Sequence, residues 1–256
     1  AVRFIFGLPF AALFLLVMAQ RTPLPAIGSD TLIWAAFGAS AQIAATAFML
    51  VTMRGQGFGV ATALMKTEPV TLALFGVIFL AEPLGLWRLA AILLATLGVV
   101  LMSGADWTRA RTATVITGIV AGALFGLSAI GFRGAILALP EGSALLRAAV
   151  VLVIALTMQS AAMLLWLLLR EPHTLRGIAR SWRVSLAAGA LGAFASLFWF
   201  VGFALTSAAN VRTLALIEVF FAQILSARLF REGARPRQLL GMALIVAGVA
   251  LLIRVA

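Results

Sequence analysis

The chain has 256 residues, of which 64% are hydrophobic and only 11% are charged, whereas a soluble domain carries about 25% charged residues. This composition excludes a soluble globular fold and predicts an all-α, polytopic transmembrane helix bundle. The net charge of +11 does not indicate nucleic-acid binding, because the arginines separate apolar segments and do not line one basic face. The chain has no cysteine, which excludes disulfides, thiolate metal sites and cysteine nucleophiles.

Hydropathy predicts nine membrane-spanning segments joined by short loops rich in proline, glycine and arginine. In chain order the spans cover residues 2–19, 32–53, 59–81, 86–104, 113–133, 143–169, 184–206, 210–230 and 237–254. Most of the tryptophans lie near the ends of spans, where their amphipathic rings suit the headgroup layer. Trp199 lies inside the seventh span instead, where it either packs between helices or lines a cavity.

The third span carries two charged residues and a proline near its middle, in the segment Lys66-Thr67-Glu68-Pro69. A charge at the bilayer centre costs about 2.5–3.5 kcal/mol on insertion scales, so such residues usually mark a functional site. Pro69 has no N–H group and leaves the carbonyl of Met65 without its helical partner, which predicts a bend in this span. Lys66 is the single lysine of the chain, and lysine, unlike arginine, can lose its proton when buried.

The two halves of the chain repeat each other. A shift of 150 residues superposes two acids and one glycine of the first half on the same residue types in the second half: Glu68 on Glu218, Glu82 on Glu232 and Gly98 on Gly248. Because only eight residues are acidic, this register indicates an internal duplication. It predicts a first copy at 1–104, a linker at 105–112 and a second copy at 113–256.

The second copy has five predicted spans and the first copy has four. By the logic of the repeat, a segment of about 32 residues with one helix is expected upstream of residue 1. We therefore interpret the chain as nine of the ten helices of an inverted repeat of five-helix units. An odd number of spans per copy makes the two copies enter the membrane in opposite directions.

Glu68 and Glu218 lie well inside their spans, where each carboxyl group must be protonated, paired or hydrated by a cavity. Lys66 cannot pair with Glu68 along one helix, because residues two positions apart do not face each other. Any ion pair must therefore join different helices, and Arg133, at the end of the fifth span, is a candidate partner. Further candidates, whose positions favour snorkelling to the headgroups, are Arg3, Arg147 and Arg212. The alternative role for both glutamates is a structural hydrogen bond between helices.

Three glycines of the fifth span, Gly118, Gly122 and Gly126, recur every fourth residue and predict close helix packing. Glu82 and Glu232 each precede a tight turn, so we interpret them as loop or capping acids.

Five segments carry a family resemblance: RFIFGLPFAALFLL at 3–16, KTEPVTLALFGVIFLAEPL at 66–84, LAAILLATLGVVLM at 89–102, IEVFFAQILSARLFRE at 217–232 and LLGMALIVAGVALL at 239–252. They resemble the EamA-like ten-helix branch of the drug/metabolite transporter superfamily. The resemblance implies a central cavity whose wall includes the spans at 59–81 and 210–230, with the last helix of each copy at the periphery. Val219 stands where the first copy has Pro69, so the two copies are not functionally equivalent.

The leading hypothesis is a secondary transporter, not an enzyme, that moves a small polar metabolite by alternating access, most simply as an exporter. An amino-acid-like substrate is favoured, because the site offers both signs of charge. The residues expected to contact substrate or coupling ion are Lys66, Glu68, Pro69, Arg133, Trp199 and Glu218. No catalytic, metal or cofactor site is expected, since the single histidine, His173, lies in a polar loop and no G-x-S-x-G motif occurs.

The alternatives are a passive facilitator and a non-transporting membrane scaffold. The expected partners are a small-molecule substrate and the lipid bilayer, with protons and a second copy of the chain as open alternatives, and the expected location is the bacterial inner membrane. Orientation stays open. The loops on the side of 104–113 and 169–184 carry most of the arginines, which favours the cytoplasm for that side, whereas the usual topology of the superfamily implies the reverse.

Overall fold

The computed structural model describes residues 2–55, 64–103, 112–230 and 236–255, and within these ranges the chain forms helices, turns and short loops. Eleven α-helices follow one another in the described ranges: α1 (Val2–Ala19), α2 (Ser29–Gly55), α3 (Glu68–Leu80), α4 (Leu86–Met102), α5 (Thr112–Leu137), α6 (Ala144–Arg170), α7 (Pro172–Arg180), α8 (Trp182–Leu205), α9 (Ala208–Ala215), α10 (Ile217–Phe230) and α11 (Pro236–Val255). The predicted all-α fold is confirmed.

In the described ranges, seven helical stretches are long and apolar enough to cross a membrane, namely α1, α2, α5, α6, α8, α11 and the stretch Ala208–Leu225. Helices α3 and α4 are apolar but shorter, with 13 and 17 residues. At 1.5 Å per residue, α3 covers about 20 Å, which is less than the roughly 30 Å of a hydrocarbon layer.

The span predicted at 59–81 is not one continuous helix. Its described part starts at Leu64, Lys66 and Thr67 form a turn, and α3 begins at Glu68. Pro69 occupies the first turn of α3, where its missing N–H group costs nothing. The predicted bend is therefore a full interruption, because proline begins a helix more readily than it continues one.

The second copy is interrupted at the matching place without a proline. Helix α9 ends at Ala215, Leu216 forms a turn and α10 begins at Ile217. The backbone N–H of Val219, which stands where the first copy has Pro69, donates to the Leu216 carbonyl at 3.1 Å. The span predicted at 210–230 is therefore found as the stretch Ala208–Leu225 with a turn at Leu216, and proline is not the common cause of the two interruptions.

The chain divides into two compact units, and each unit takes helices from both sequence copies. The first unit consists of Ala1–Ser40 and Gly131–Thr206, and the second consists of Ala41–Ile130 and Ser207–Ala256. The first contains α1, α6, α7 and α8, and the second contains α3, α4, α9, α10 and α11. The boundaries of the predicted sequence copies therefore differ from those of the compact units.

In the first unit, α1 packs against both α6 and α8. The approach uses small residues, because a Cβ atom on Gly7 would lie 3.3 Å from the Gly189 carbonyl oxygen and 3.6 Å from the Ala193 Cβ. Such close approach of backbones provides the van der Waals contact that holds membrane helices together.

In the second unit, α4 packs against α11 through glycines of both copies. A Cβ atom on Gly98 would lie 2.6 Å from the Gly241 carbonyl oxygen, and one on Gly248 would lie 2.8 Å from the Ala91 carbonyl oxygen. These contacts are equivalent under the shift of 150 residues, which relates Gly98 to Gly248 and Ala91 to Gly241. Since position 98 meets 241 while position 91 meets 248, the two equivalent helices run antiparallel.

We expect Gly98→Leu to lower the free energy of unfolding by about 1–3 kcal/mol, because the new side chain must displace the backbone of α11. Thermal unfolding of the purified protein in detergent, followed by tryptophan fluorescence, measures this change. Ala90→Leu is the matched control, since Ala90 is an exposed residue of the same helix. Equal losses of stability in both variants would contradict the α4–α11 contact.

Helix α5 provides the surface on which the interrupted third span lies. A Cβ atom on Gly118 would lie 2.6 Å from Leu64 Cδ1, and one on Gly126 would lie 3.2 Å from Thr71 Oγ1. Gly122 faces the carbonyl oxygen of Leu64. The packing role predicted for these glycines is confirmed, and their partner is the segment that carries Lys66 and Glu68.

Candidate functional site

Two ion pairs connect the two interrupted spans within the second compact unit. The Lys66 Nζ atom donates to Glu218 Oε1, and Arg212 Nε lies 3.2 Å from Glu68 Oε1. We call these four residues, Lys66, Glu68, Arg212 and Glu218, the charge cluster. It joins the turn at 66–67 and the start of α3 to α9 and the start of α10.

Each ion pair joins an acid of one copy to a base of the other. In the repeat register Leu216 corresponds to Lys66, so the second copy has no lysine at the equivalent place. Arg212 precedes Leu216 by four residues, and residues with this spacing lie on the same face of a helix. Arg212 thereby supplies, from one turn earlier, the positive charge that pairs with Glu68.

The two pairs differ in burial. The Glu68 side chain is 11% exposed and that of Arg212 is 23% exposed, and we call this the inner pair. The Glu218 side chain is 58% exposed and that of Lys66 is 27% exposed, which makes the outer pair. The two glutamates, equivalent in the sequence register, therefore differ in accessibility, and only the outer pair has a carboxylate that a ligand can reach directly.

Both glutamates lie in the first turn of a helix, Glu68 in α3 and Glu218 in α10. The positive end of the helix dipole stabilises a carboxylate there by about 0.3–1 kcal/mol. Interrupted helices whose N-termini meet charged groups also form the substrate and ion sites of many secondary transporters. The interruptions therefore place backbone dipoles as well as side-chain charges at the cluster.

Hydroxyl groups satisfy carbonyl oxygens near the interruptions. Thr67 Oγ1 donates to the Leu64 carbonyl at 2.7 Å, and Thr71 Oγ1 donates to the Glu68 carbonyl at 2.8 Å. In the second copy, Thr213 Oγ1 donates to the Ala209 carbonyl at 2.7 Å. Lipid cannot supply such donors, so these threonines stabilise irregular backbone inside an apolar protein.

Arg133 and Trp199 belong to the first compact unit, where both contact Phe203. Arg133 donates to the carbonyl oxygens of Phe203 and, at 2.6 Å, Thr206. The Trp199 ring lies 6.2 Å from the Phe203 ring. A guanidinium group at these carbonyls stabilises the C-terminal end of α8. Helix α5 continues to Leu137, so Arg133 lies within the helix and not at its end as predicted.

The prediction for Arg212 was wrong, because the sequence favoured a side chain that extends to the lipid headgroups. The structure pairs its guanidinium with Glu68, because the interruption at Leu216 makes Arg212 part of a short half-helix beside α3. A signal was available, since Arg212 stands one turn before the position that corresponds to Lys66. Of the other predicted site residues, Pro69 is buried in the first turn of α3.

Glu82 and Glu232 were predicted to be loop or capping acids, and only Glu82 lies within the described residues. The backbone N–H of Glu82 donates to the Gly76 carbonyl at 3.0 Å and closes the end of α3. Its repeat counterpart, Glu232, lies outside the described residues, as does the predicted linker except for Thr112.

Comparison with known proteins identifies the family of the chain. The sequence model of the EamA-like transporter family matches residues 1–104 and 112–254. A solved structure described only as "Crystal structure of protein" superposes with a TM-score of 0.74 at 17% identity, over 100% of this chain and 85% of its own length, which supports the fold alone. No curated protein matches. Since the match covers both halves of the sequence, the chain belongs to the EamA-like transporter family.

Proposed function

We propose that this protein is a secondary active transporter that exports a small polar metabolite by alternating access, with the charge cluster as its substrate and coupling site. The observation that carries the proposal is the pairing of each acid of one copy with a base of the other, at two matching helix interruptions. These ion pairs are the polar part of a contact between the copies whose apolar part includes Val99, Leu216 and Ile245.

The antiparallel packing of α4 and α11 supports an inverted repeat, because these equivalent helices contact each other through equivalent residues. We take the copies to be residues 1–104 and 113–256, joined by 105–112. In transporters with inverted repeats, one repeat or helix bundle moves against the other around a site near the bilayer midplane. The cluster lies where equivalent elements of the two copies meet.

The charges of the outer pair favour an amphoteric substrate. A ligand with only a carboxylate would pair with Lys66 and leave Glu218 without a partner, and a simple amine would do the reverse. Either ligand would match only one of the two charges of the pair. An amino-acid-like molecule replaces both partners at once, with its carboxylate on Lys66 and its ammonium group on Glu218.

The remaining predicted contacts are part of the proposal. Pro69 sets the start of α3 and thereby the position of Glu68. Arg133 and Trp199 are proposed to contact substrate at another stage of the cycle, with Arg133 attracting a carboxylate or phosphate. Protons are the proposed coupling ion, carried by Glu68 or Glu218.

We expect Glu218→Gln and Glu68→Gln each to reduce pH-gradient-driven accumulation of amino acids in proteoliposomes by about tenfold or more, because an amide cannot bind and release a proton and carries no charge for the basic partner. The assay supplies a mixture of labelled amino acids and measures their uptake with and without an imposed pH gradient. Glu141→Gln, which changes an exposed loop acid, is the control. Unchanged uptake in both site variants would exclude proton coupling through these residues.

The same assay separates the alternative functions. A passive facilitator equilibrates solute and never concentrates it against a gradient, whereas a scaffold moves none. The proposed location is the bacterial inner membrane, and a homodimer is the proposed assembly. A comparison of exported metabolites between cells with and without the protein would identify the substrate.

A further inference from the structure

Helix α7 is a short amphipathic helix between two helices that are long and apolar enough to cross a membrane. It begins two residues after α6 ends at Arg170 and is followed by α8 from Trp182. Leu175 and Ile178 are half-buried, whereas Arg176 and Arg180 are exposed. Residues 170–183 were expected to form a polar loop, and this expectation is wrong, since Pro172 starts a helix whose apolar residues recur at helical spacing.

This part of the chain is strongly basic. Between positions 170 and 183 the sequence has four arginines and one acid, Glu171. The Glu171 carboxylate accepts a hydrogen bond from Thr174 Oγ1 at 3.1 Å. Within the ranges that the structure describes, no carboxylate forms an ion pair with Arg176 or Arg180. The two guanidinium groups are therefore available to an anion outside the protein.

Tryptophans mark the depth of this helix in the membrane. Trp166 and Trp182 are 56% and 51% exposed, and exposed tryptophans at span ends lie at the level of the lipid headgroups. The Arg170 guanidinium lies 5.7 Å from the Trp166 ring, and that of Arg183 lies 5.5 Å from the Trp182 ring. Helix α7 connects these two points, which places its arginines in the same layer.

We propose that α7 is a binding surface for the headgroups of anionic phospholipids, with Arg176 and Arg180 as the principal contacts. Basic amphipathic helices at a membrane surface bind anionic lipids through this combination of a half-buried apolar side and exposed cations. Guanidinium groups also suit the phosphate of the headgroup, which they can contact with two parallel hydrogen bonds. The inference does not depend on the proposed transport function.

The test uses the full-length chain in detergent and native mass spectrometry, with phosphatidylglycerol and phosphatidylcholine as probes. We expect the unmodified protein to retain phosphatidylglycerol over phosphatidylcholine. Each arginine near an anionic surface adds about fivefold in affinity, so Arg176→Gln/Arg180→Gln should weaken phosphatidylglycerol binding by about 30-fold. Binding of phosphatidylcholine should stay unchanged.

The control variant, Arg21→Gln/Arg254→Gln, removes two exposed arginines from other helix ends. An equal loss of phosphatidylglycerol binding in the control, or no loss in the α7 variant, would overturn the proposal. High salt should also weaken phosphatidylglycerol retention by the unmodified protein, because salt screens exposed charges. Inorganic phosphate at the lipid concentration should not displace the lipid, and displacement would show that α7 binds free anions.

Discussion

An Arg212→Met variant is expected to lose about 3–5 kcal/mol of folding stability, which is the cost of leaving a buried charge without its partner. Glu68 is the partner concerned, and only 8% of its surface is exposed. Methionine keeps the length and apolar stem of the side chain, so the loss reports the missing charge and not a cavity. Chemical unfolding in detergent, followed by circular dichroism, measures the change.

The double variant Glu68→Gln/Arg212→Met is expected to recover most of this loss, because a buried ion pair and a neutral pair of similar size are often close in stability. Arg254→Met is the control, since Arg254 is exposed at the end of α11.

Lys66→Met should lower the folding stability by only about 0–1 kcal/mol, as for other accessible ion pairs. If Lys66→Met lowered the folding stability as much as Arg212→Met does, the inner and outer pairs would not differ in energy, which would contradict the distinction between them.

Lys66→Glu is expected to reduce transport by about 100-fold, because the new carboxylate faces Glu218 and juxtaposed like charges cost several kcal/mol. The reversed pair Lys66→Glu/Glu218→Lys restores the attraction, and it should recover transport to within about tenfold of the unmodified protein. Counterflow of labelled amino acids in proteoliposomes measures both variants.

Glu141→Lys, a charge reversal at an exposed loop acid, controls for a general effect of charge and should transport normally. If the reversed pair is no better than Lys66→Glu alone, the contact between Lys66 and Glu218 has no part in transport. The rates are compared at equal amounts of reconstituted protein, so that differences in expression do not enter.

The apolar composition and the register between Glu68 and Glu218 were enough to predict the fold class and the duplication. The family was predicted from the resemblance of five segments to EamA-like transporters, and the family match confirms it. Helix interruptions were harder to predict. Pro69 pointed to the first, but the second, at Leu216, has no proline. Only the repeat register relates Leu216 to Lys66.

The pairing of the charges depended on tertiary contacts that a single sequence does not encode locally. Hydropathy treated 210–230 as one span, so Arg212 was placed near its end and assigned to the headgroups, whereas the structure turns it towards Glu68. The unequal burial of Glu68 and Glu218 also depends on tertiary contacts. Both acids have equivalent positions in the repeat, and packing against neighbouring helices decides which of them is accessible.

The absence of cysteine from the chain permits the most direct test of whether the outer pair must open during transport. Met65→Cys/Ile217→Cys places the only two thiols on the residues next to Lys66 and Glu218 and leaves the charge cluster intact, and a short, reducible bis-methanethiosulfonate reagent can bridge them in reconstituted vesicles. The alternating-access account predicts that bridging stops amino-acid counterflow, that a reducing agent restores it, and that neither single-cysteine variant behaves in this way. A bridged protein that continues to transport at the rate of its reduced form would contradict the account.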